Sequence, residues 1–123
     1  MARALDCIIQ GGWVVLPDRV EPLDIGIDNG KIVQLASSLV DEQATRIIQA
    51  EGLYVLPGAV DIHVHFNEPG LASWEGFTTG SAALAAGGIT TYVDMPLNGV
   101  PPTTNKERLQ QKEQAAAGHS HVD

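Results

Sequence analysis

Two histidines two residues apart, His63 and His65, lie in the apolar run Ala59-Val60-Asp61-Ile62-His63-Val64-His65-Phe66, just before a Glu/Pro/Gly stretch. In an extended chain residues i and i+2 project from the same side, so both imidazoles can reach one ion. Neutral imidazole suits zinc and its divalent neighbours. Asp61 shares that side and could orient an imidazole from behind. A bare His-x-His pair also occurs in purely structural strands, and both readings fit it here. Hydrolytic zinc sites usually have three protein ligands and an open position for water, so this pair supplies only part of one. His119 and His121 repeat the spacing in a polar, Gly-flanked stretch and read as surface residues. Glu68 and Glu75 are further candidate carboxylate ligands, for which solvated or capping roles fit better. Asn67 and Asn98 fall in loops after two β-rich runs. An amide side chain both donates and accepts, as recognition of a ureide or cyclic amide requires, although Asn also favours turns. Trp74 and Phe77 read as core packing before pocket wall.

These residues need elements to hold them. The first sixty residues read as short strands: Cys7 to Ile9, ending at Gly11-Gly12; Trp13 to Leu16, ending at Pro17; Asp24 to Ile27; Ile32 to Leu35; Arg46 to Ala50; Leu53 to Leu56. Asp24-Ile25-Gly26-Ile27 alternates with period two, as a half-buried strand does. Asn29-Gly30 is a strong hairpin signal, because both residues tolerate positive φ. Residues 1–57 are therefore expected to form a small antiparallel β module. From Pro57-Gly58 onward the pattern changes. A strand over 59–66 is followed by a helix over 73–86 with a small-residue face (Gly80, Ala82, Ala83, Ala85, Ala86), ended by Gly87-Gly88. A second strand over 89–95 precedes a Pro/Gly/Asn loop. Thr104-Asn105-Lys106-Glu107 has capping-box spacing and opens a helix through Ala117. Residues 119–123 read as the approach to another strand. Strand–helix–strand–helix implies parallel strands joined by crossover helices, so 58–123 is read as two β/α units. A full β/α barrel takes about 250 residues, and the 66 residues after position 57 (123 − 57) cover about two of eight units. The expectation is a truncated chain with an unpaired strand edge.

Bulk composition narrows the function classes. The chain has 123 residues, is 44% apolar, and carries a formal net charge of −8. An acidic surface repels phosphates and anionic lipids, so neither nucleic acid nor a membrane is an expected partner. No apolar run reaches the roughly 18–20 residues of a membrane span. The start, Met1 to Asp6, is a poor secretory signal. The single cysteine, Cys7, has no internal disulfide partner, which points to a reducing cytosol.

Pro57-Gly58-Ala59-Val60-Asp61-Ile62-His63-Val64-His65 with Glu68-Pro69-Gly70 resembles the entry motif of the cyclic amidohydrolases: dihydroorotase, dihydropyrimidinase (hydantoinase) and allantoinase. The resemblance continues through Ser73-Trp74-Glu75-Gly76-Phe77, Ala86-Gly87-Gly88-Ile89-Thr90-Thr91 and Asp94-Met95-Pro96-Leu97-Asn98. It implies an α/β fold: a small β-sandwich module (1–57), then the first two β/α units of a TIM-like (β/α)8 barrel (58–123), truncated. Dihydroorotases have Arg where Asn67 stands, and the Trp74-Glu75-Gly76 and Met95 to Asn98 stretches look like the allantoinase branch. That branch implies metal-dependent opening of the allantoin ring to allantoate, in purine breakdown. It implies a divalent metal centre, two zinc ions in a complete enzyme, with His63 and His65 on one ion. It implies that Asn98 faces the cyclic ureide, and Asn67 is a candidate for the same role from its loop position. The family's bridging carboxylated lysine, two later histidines and catalytic aspartate have no counterparts up to residue 123, so this chain alone is expected to be inactive; the resemblance also implies a homotetrameric parent. A hydantoinase-type substrate and a non-catalytic interaction module are the alternatives.

Overall fold

The structure is a computed structural model that describes residues 4–123. The chain divides into two compact units, Met1–Pro57 and Gly58–Asp123.

The first unit is built on one long strand, β1 (Leu5–Val15). It is joined by β2 (Val20–Asp28), β3 (Lys31–Ala36), β4 (Ala44–Gln49) and the two-residue β5 (Tyr54–Val55). The order across the sheet is β3-β2-β1-β4, with β5 also on β1. Gly11-Gly12 does not end a strand, as the sequence suggested. Gly11 takes φ +74 and the register shifts between Ile9 and Gly12, so the glycines form a bulge inside one continuous strand. A side chain at Gly12 would meet Val55 Cγ2 at 2.5 Å. The hairpin at Asn29-Gly30 is as expected: both residues have positive φ, 51° and 70°, and Asp28 pairs with Lys31 across it.

The sheet is mixed rather than antiparallel, because β4 and β5 both run parallel to β1. The cause is the connection over 37–43, which carries the chain from β3 at one edge to β4 at the other. Leu39 on this connection is buried, and its N–H donates to Asp24 Oδ2 at 2.7 Å. The other oxygen, Oδ1, accepts from Gly11 N at 2.8 Å. Period-two alternation in β2 thus fails at Asp24, which is buried beside Ile25 and Gly26 because two backbone amides need its carboxylate.

The second unit pairs β6 (Ala59–Val64) with β7 (Ile89–Asp94) in parallel, joined by α1 (Phe77–Ala86) and followed by α2 (Lys106–Ala116). Helix α1 starts later than Ser73 because Gly76 is still extended (φ −111°, ψ 176°). Only Phe77, Gly80 and Ser81 of α1 are buried. The four alanines expected on its packing face are all exposed, and the close approach is concentrated at Gly80. A Cβ there would lie 2.1 Å from the Phe66 ring. Val64, Phe66 and Phe77 form the core, with Leu84, Tyr92, Ala115 and Ala116 packed against it. Phe66 meets Phe77 and Tyr92 edge-on at 5.5 and 4.9 Å between centroids, the favoured arrangement for aromatic quadrupoles. Trp74, expected in the core, is exposed.

The cap of α2 is Asn105, whose side chain accepts from Arg108 N at 3.0 Å. This is one residue beyond the Thr104 of the capping-box reading, and the amide of Asn105 does the same work. Past α2 the chain returns to β7: Asp123 N donates to Thr90 O, and Tyr92 N to Asp123 O. That is the bonding of a parallel neighbour, in line with the strand approach expected there. Ser81 Oγ accepts from His121 N at 2.9 Å and helps hold this segment.

Candidate functional site

The first histidine sits on β6 and the second just beyond its end, where the strand gives way to the loop over 65–76. Their Nε2 atoms lie 3.2 Å apart, and the ring planes are inclined by 55°. Two neutral imidazoles meet this way through an N–H···N hydrogen bond, one ring donating. Two ligands of one tetrahedral zinc, each at about 2.0–2.1 Å, would be about 3.3 Å apart. The donor set and its separation therefore fit one such cation. His63 is exposed and His65 half-buried, so the pair is open to solvent on one side. Among the described residues no third His, Cys, Asp or Glu joins them in a cluster.

The surroundings sort the other expected residues. Asp61 does not back an imidazole; its Oδ1 accepts from the backbone N–H of His63 at 3.0 Å. Asn98 adopts φ +63°, which Asn tolerates better than most residues. Its Nδ2 stands 3.5 Å from His65 Nδ1, the outer limit of a hydrogen bond. So the end of β6 and the loops after β6 and β7 bring His63, His65 and Asn98 together at the C-terminal ends of two parallel strands. Asn67 is 6% exposed, and both its backbone N–H and its Nδ2 point at the carbonyl of Glu75 (2.8 and 3.3 Å). Its amide nitrogen therefore holds the loop over 67–75. Glu75 also accepts from the Thr79 hydroxyl, in the first turn of α1. Glu68 stands over the start of the same helix, where a Cβ on Gly76 would strike its Oε1; a carboxylate there complements the helix dipole. His119 and His121 are exposed, as expected, with His119 Nδ1 3.4 Å from Thr78 Oγ1.

Two residues beside the site escaped the sequence reading. Asp94, the last residue of β7, accepts from Phe66 N through Oδ1 at 3.0 Å. Its Oδ2 pairs with Lys112 Nζ at 2.8 Å, and the two side chains are about equally buried, 10% exposed for Lys112 and 8% for Asp94. Lys112 also donates to Phe66 O (3.2 Å) and Glu68 O (3.0 Å). In a helix as polar as α2 a lysine is expected to face water. The available signal was Ala115 and Ala116, three and four residues on, which put a small apolar stripe on the lysine's own face.

The amidohydrolase family model matches residues 54–119, more than half of the chain. The chain is 49% identical to the allantoinase of Bacillus velezensis over 120 residues, covering 98% of this chain and 26% of that protein. With the allantoinase of Rubrobacter xylanophilus the identity is 50% at the same coverage. The L-hydantoinase (dihydropyrimidinase) of Arthrobacter aurescens superposes with a TM-score of 0.89 at 34% identity, over 97% of this chain and 26% of that one. The chain thus spans about a quarter of the length of these relatives. Its histidine-bearing strand lies inside the matched region, and the chain belongs to the amidohydrolase family.

Proposed function

We propose that this chain forms the N-terminal part of a metal-dependent cyclic amidohydrolase that opens the ring of allantoin. The observation that carries the reading is the convergence of the His63 and His65 Nε2 atoms to 3.2 Å, at the C-terminal ends of parallel strands. That end is where β/α-barrel enzymes build their active sites. In this reading His63 and His65 hold one divalent ion, zinc. Bound there, it supplies Lewis acidity, lowering the pKa of a water and polarising the scissile amide carbonyl. The chain's own contribution is to aim two imidazoles and to present Asn98. The Asn98 amide can turn either its oxygen or its nitrogen to a neighbour. With its oxygen toward His65 it would accept from Nδ1–H and leave Nε2 free for the ion. Its remaining amide valence would face the ureide. Asn67, turned into its own loop, would shape that side of the site rather than touch the substrate directly.

The division at Pro57/Gly58 belongs to the same reading, with residues 1–57 as the β module and 58–123 as the start of the barrel. So does a reducing cytosol, supported by the lone, half-buried Cys7. The allantoinase relatives favour allantoin as substrate, and the hydantoinase likeness favours other cyclic amides as second choice.

The test is a chimera in which this chain replaces the matching first quarter of the Bacillus velezensis allantoinase. It is assayed with zinc against allantoin, hydantoin, dihydrouracil and dihydroorotate. Turnover of allantoin above the other three is expected, and its loss on His63→Ala/His65→Ala. A folded chimera that prefers dihydropyrimidines would overturn the substrate assignment. Activity that survives the double substitution would overturn the metal assignment.

A further inference from the structure

Residue 66, directly after His65, is held at every group it has. Its N–H is taken by Asp94 Oδ1 (3.0 Å), its carbonyl by Lys112 Nζ (3.2 Å), and its ring fills the core space left by Gly80. The Lys112–Asp94 ion pair at 2.8 Å, which lies outside hydrogen-bond geometry at Oδ2, links the three residues into a ring. Lys112 also donates to Glu68 O at 3.0 Å, so its nitrogen bonds two backbone carbonyls while it faces the Asp94 carboxylate. Phe77 lies under the ammonium at 5.6 Å from its ring centre. A buried ion pair is a weak source of net stability, since desolvation offsets most of the attraction. Hydrophobic residues would fill this space at lower cost. What this pair does that they could not is fix the direction in which the chain leaves β6.

We infer that Lys112 and Asp94 are positioning residues: together they clamp Phe66 and so hold His65 in register with His63 for a shared divalent cation. This rests on the metal reading of the histidine pair and goes beyond it, because neither residue touches the ion. A compact ammonium suits this place, since two carbonyl oxygens and one carboxylate oxygen surround a single nitrogen. A planar guanidinium cannot satisfy them from one point.

Removing Lys112 alone would leave Asp94 buried and unpaired, so the informative variant is Lys112→Met with Asp94→Asn, which deletes both charges and keeps an acceptor for Phe66 N. Zinc affinity is read by calorimetry on the whole 123-residue chain, with thermal melts and circular dichroism reporting the fold. The folded double variant should bind zinc about 10–100-fold more weakly, the usual effect of losing groups behind a metal ligand. Lys112→Cys in a Cys7→Ala background, alkylated to carry an aminoethyl group before refolding, should recover most of that loss. Lys112→Arg should not. If the folded double variant binds zinc as tightly as the parent chain, and His63→Ala/His65→Ala abolishes that binding, the clamp is wrong and the metal site stands. If the parent chain binds no zinc through His63 and His65, the metal reading fails and the clamp falls with it.

Discussion

Each unit buries one carboxylate behind a loop, and the two are put to different uses. Asp24 in the first unit directs both oxygens at backbone N–H groups, Gly11 and Leu39, and so fastens a bulge to a crossing connection. Asp94 in the second unit gives one oxygen to the N–H of Phe66 and the other to the ammonium of Lys112. The first arrangement is complete once the chain is folded. The second lies next to two solvent-accessible imidazoles that point at a common spot. All four histidines of the chain lie in the second unit. A buried acid is thus no guide to chemistry by itself. What distinguishes Asp94 is the buried cation on one side and the convergent donors on the other.

Substitutions can sharpen that contrast. The largest effect is expected from Lys112→Met alone, which strands a buried carboxylate. The second unit should lose about 3–5 kcal/mol in urea unfolding, the cost of breaking a buried pair from one side. Adding Asp94→Asn should return most of it, and a double variant as weak as the single would mean the charges do not act as a pair. Asp24→Ala comes next, at about 1–3 kcal/mol for the buried Leu39 amide it leaves unsatisfied, the Gly11 amide being within reach of water. That loss should be confined to the first unit and leave zinc affinity unchanged; a change in affinity would break the separation drawn between the two acids. Gly80→Ala should cost about 1–3 kcal/mol by pushing the Phe66 ring off its site, and a melt unchanged from the parent would show that the ring has room to move. Gly30→Ala should be mildest, about 1 kcal/mol for a side chain held at φ +70°, read as a small drop in the first unit's midpoint.

Much of this layout was legible in the sequence, and the misses share a cause. The Asn29-Gly30 hairpin, the β6–α1–β7–α2 order and the His63/His65 pair follow from local chemistry: turn residues, periodicity and the two-residue repeat of a strand. Strand direction in the first sheet did not, because it depends on where the 37–43 connection travels, and a strand's pattern is the same in either direction. Gly11-Gly12 was read as a stop because a bulge and a turn ask for the same residue. The burial of Asp24 and Lys112 was hidden for a related reason. A charged residue is placed outside by default, and only its long-range partners, 13 to 46 positions away, override that. Trp74 failed in the opposite sense, since nothing in the second unit covers an indole at that point of the loop.

The central claim is that His63 and His65 present their Nε2 atoms to one divalent ion. Long-range proton–nitrogen NMR of the four imidazoles during a zinc titration tests it most directly. The account predicts that the Nε2 resonances of His63 and His65 shift together at one equivalent, that their Nδ1 resonances stay protonated, and that His119 and His121 do not move. Zinc that shifts His119 and His121 instead, or that engages His63 and His65 at separate stoichiometries, would contradict it.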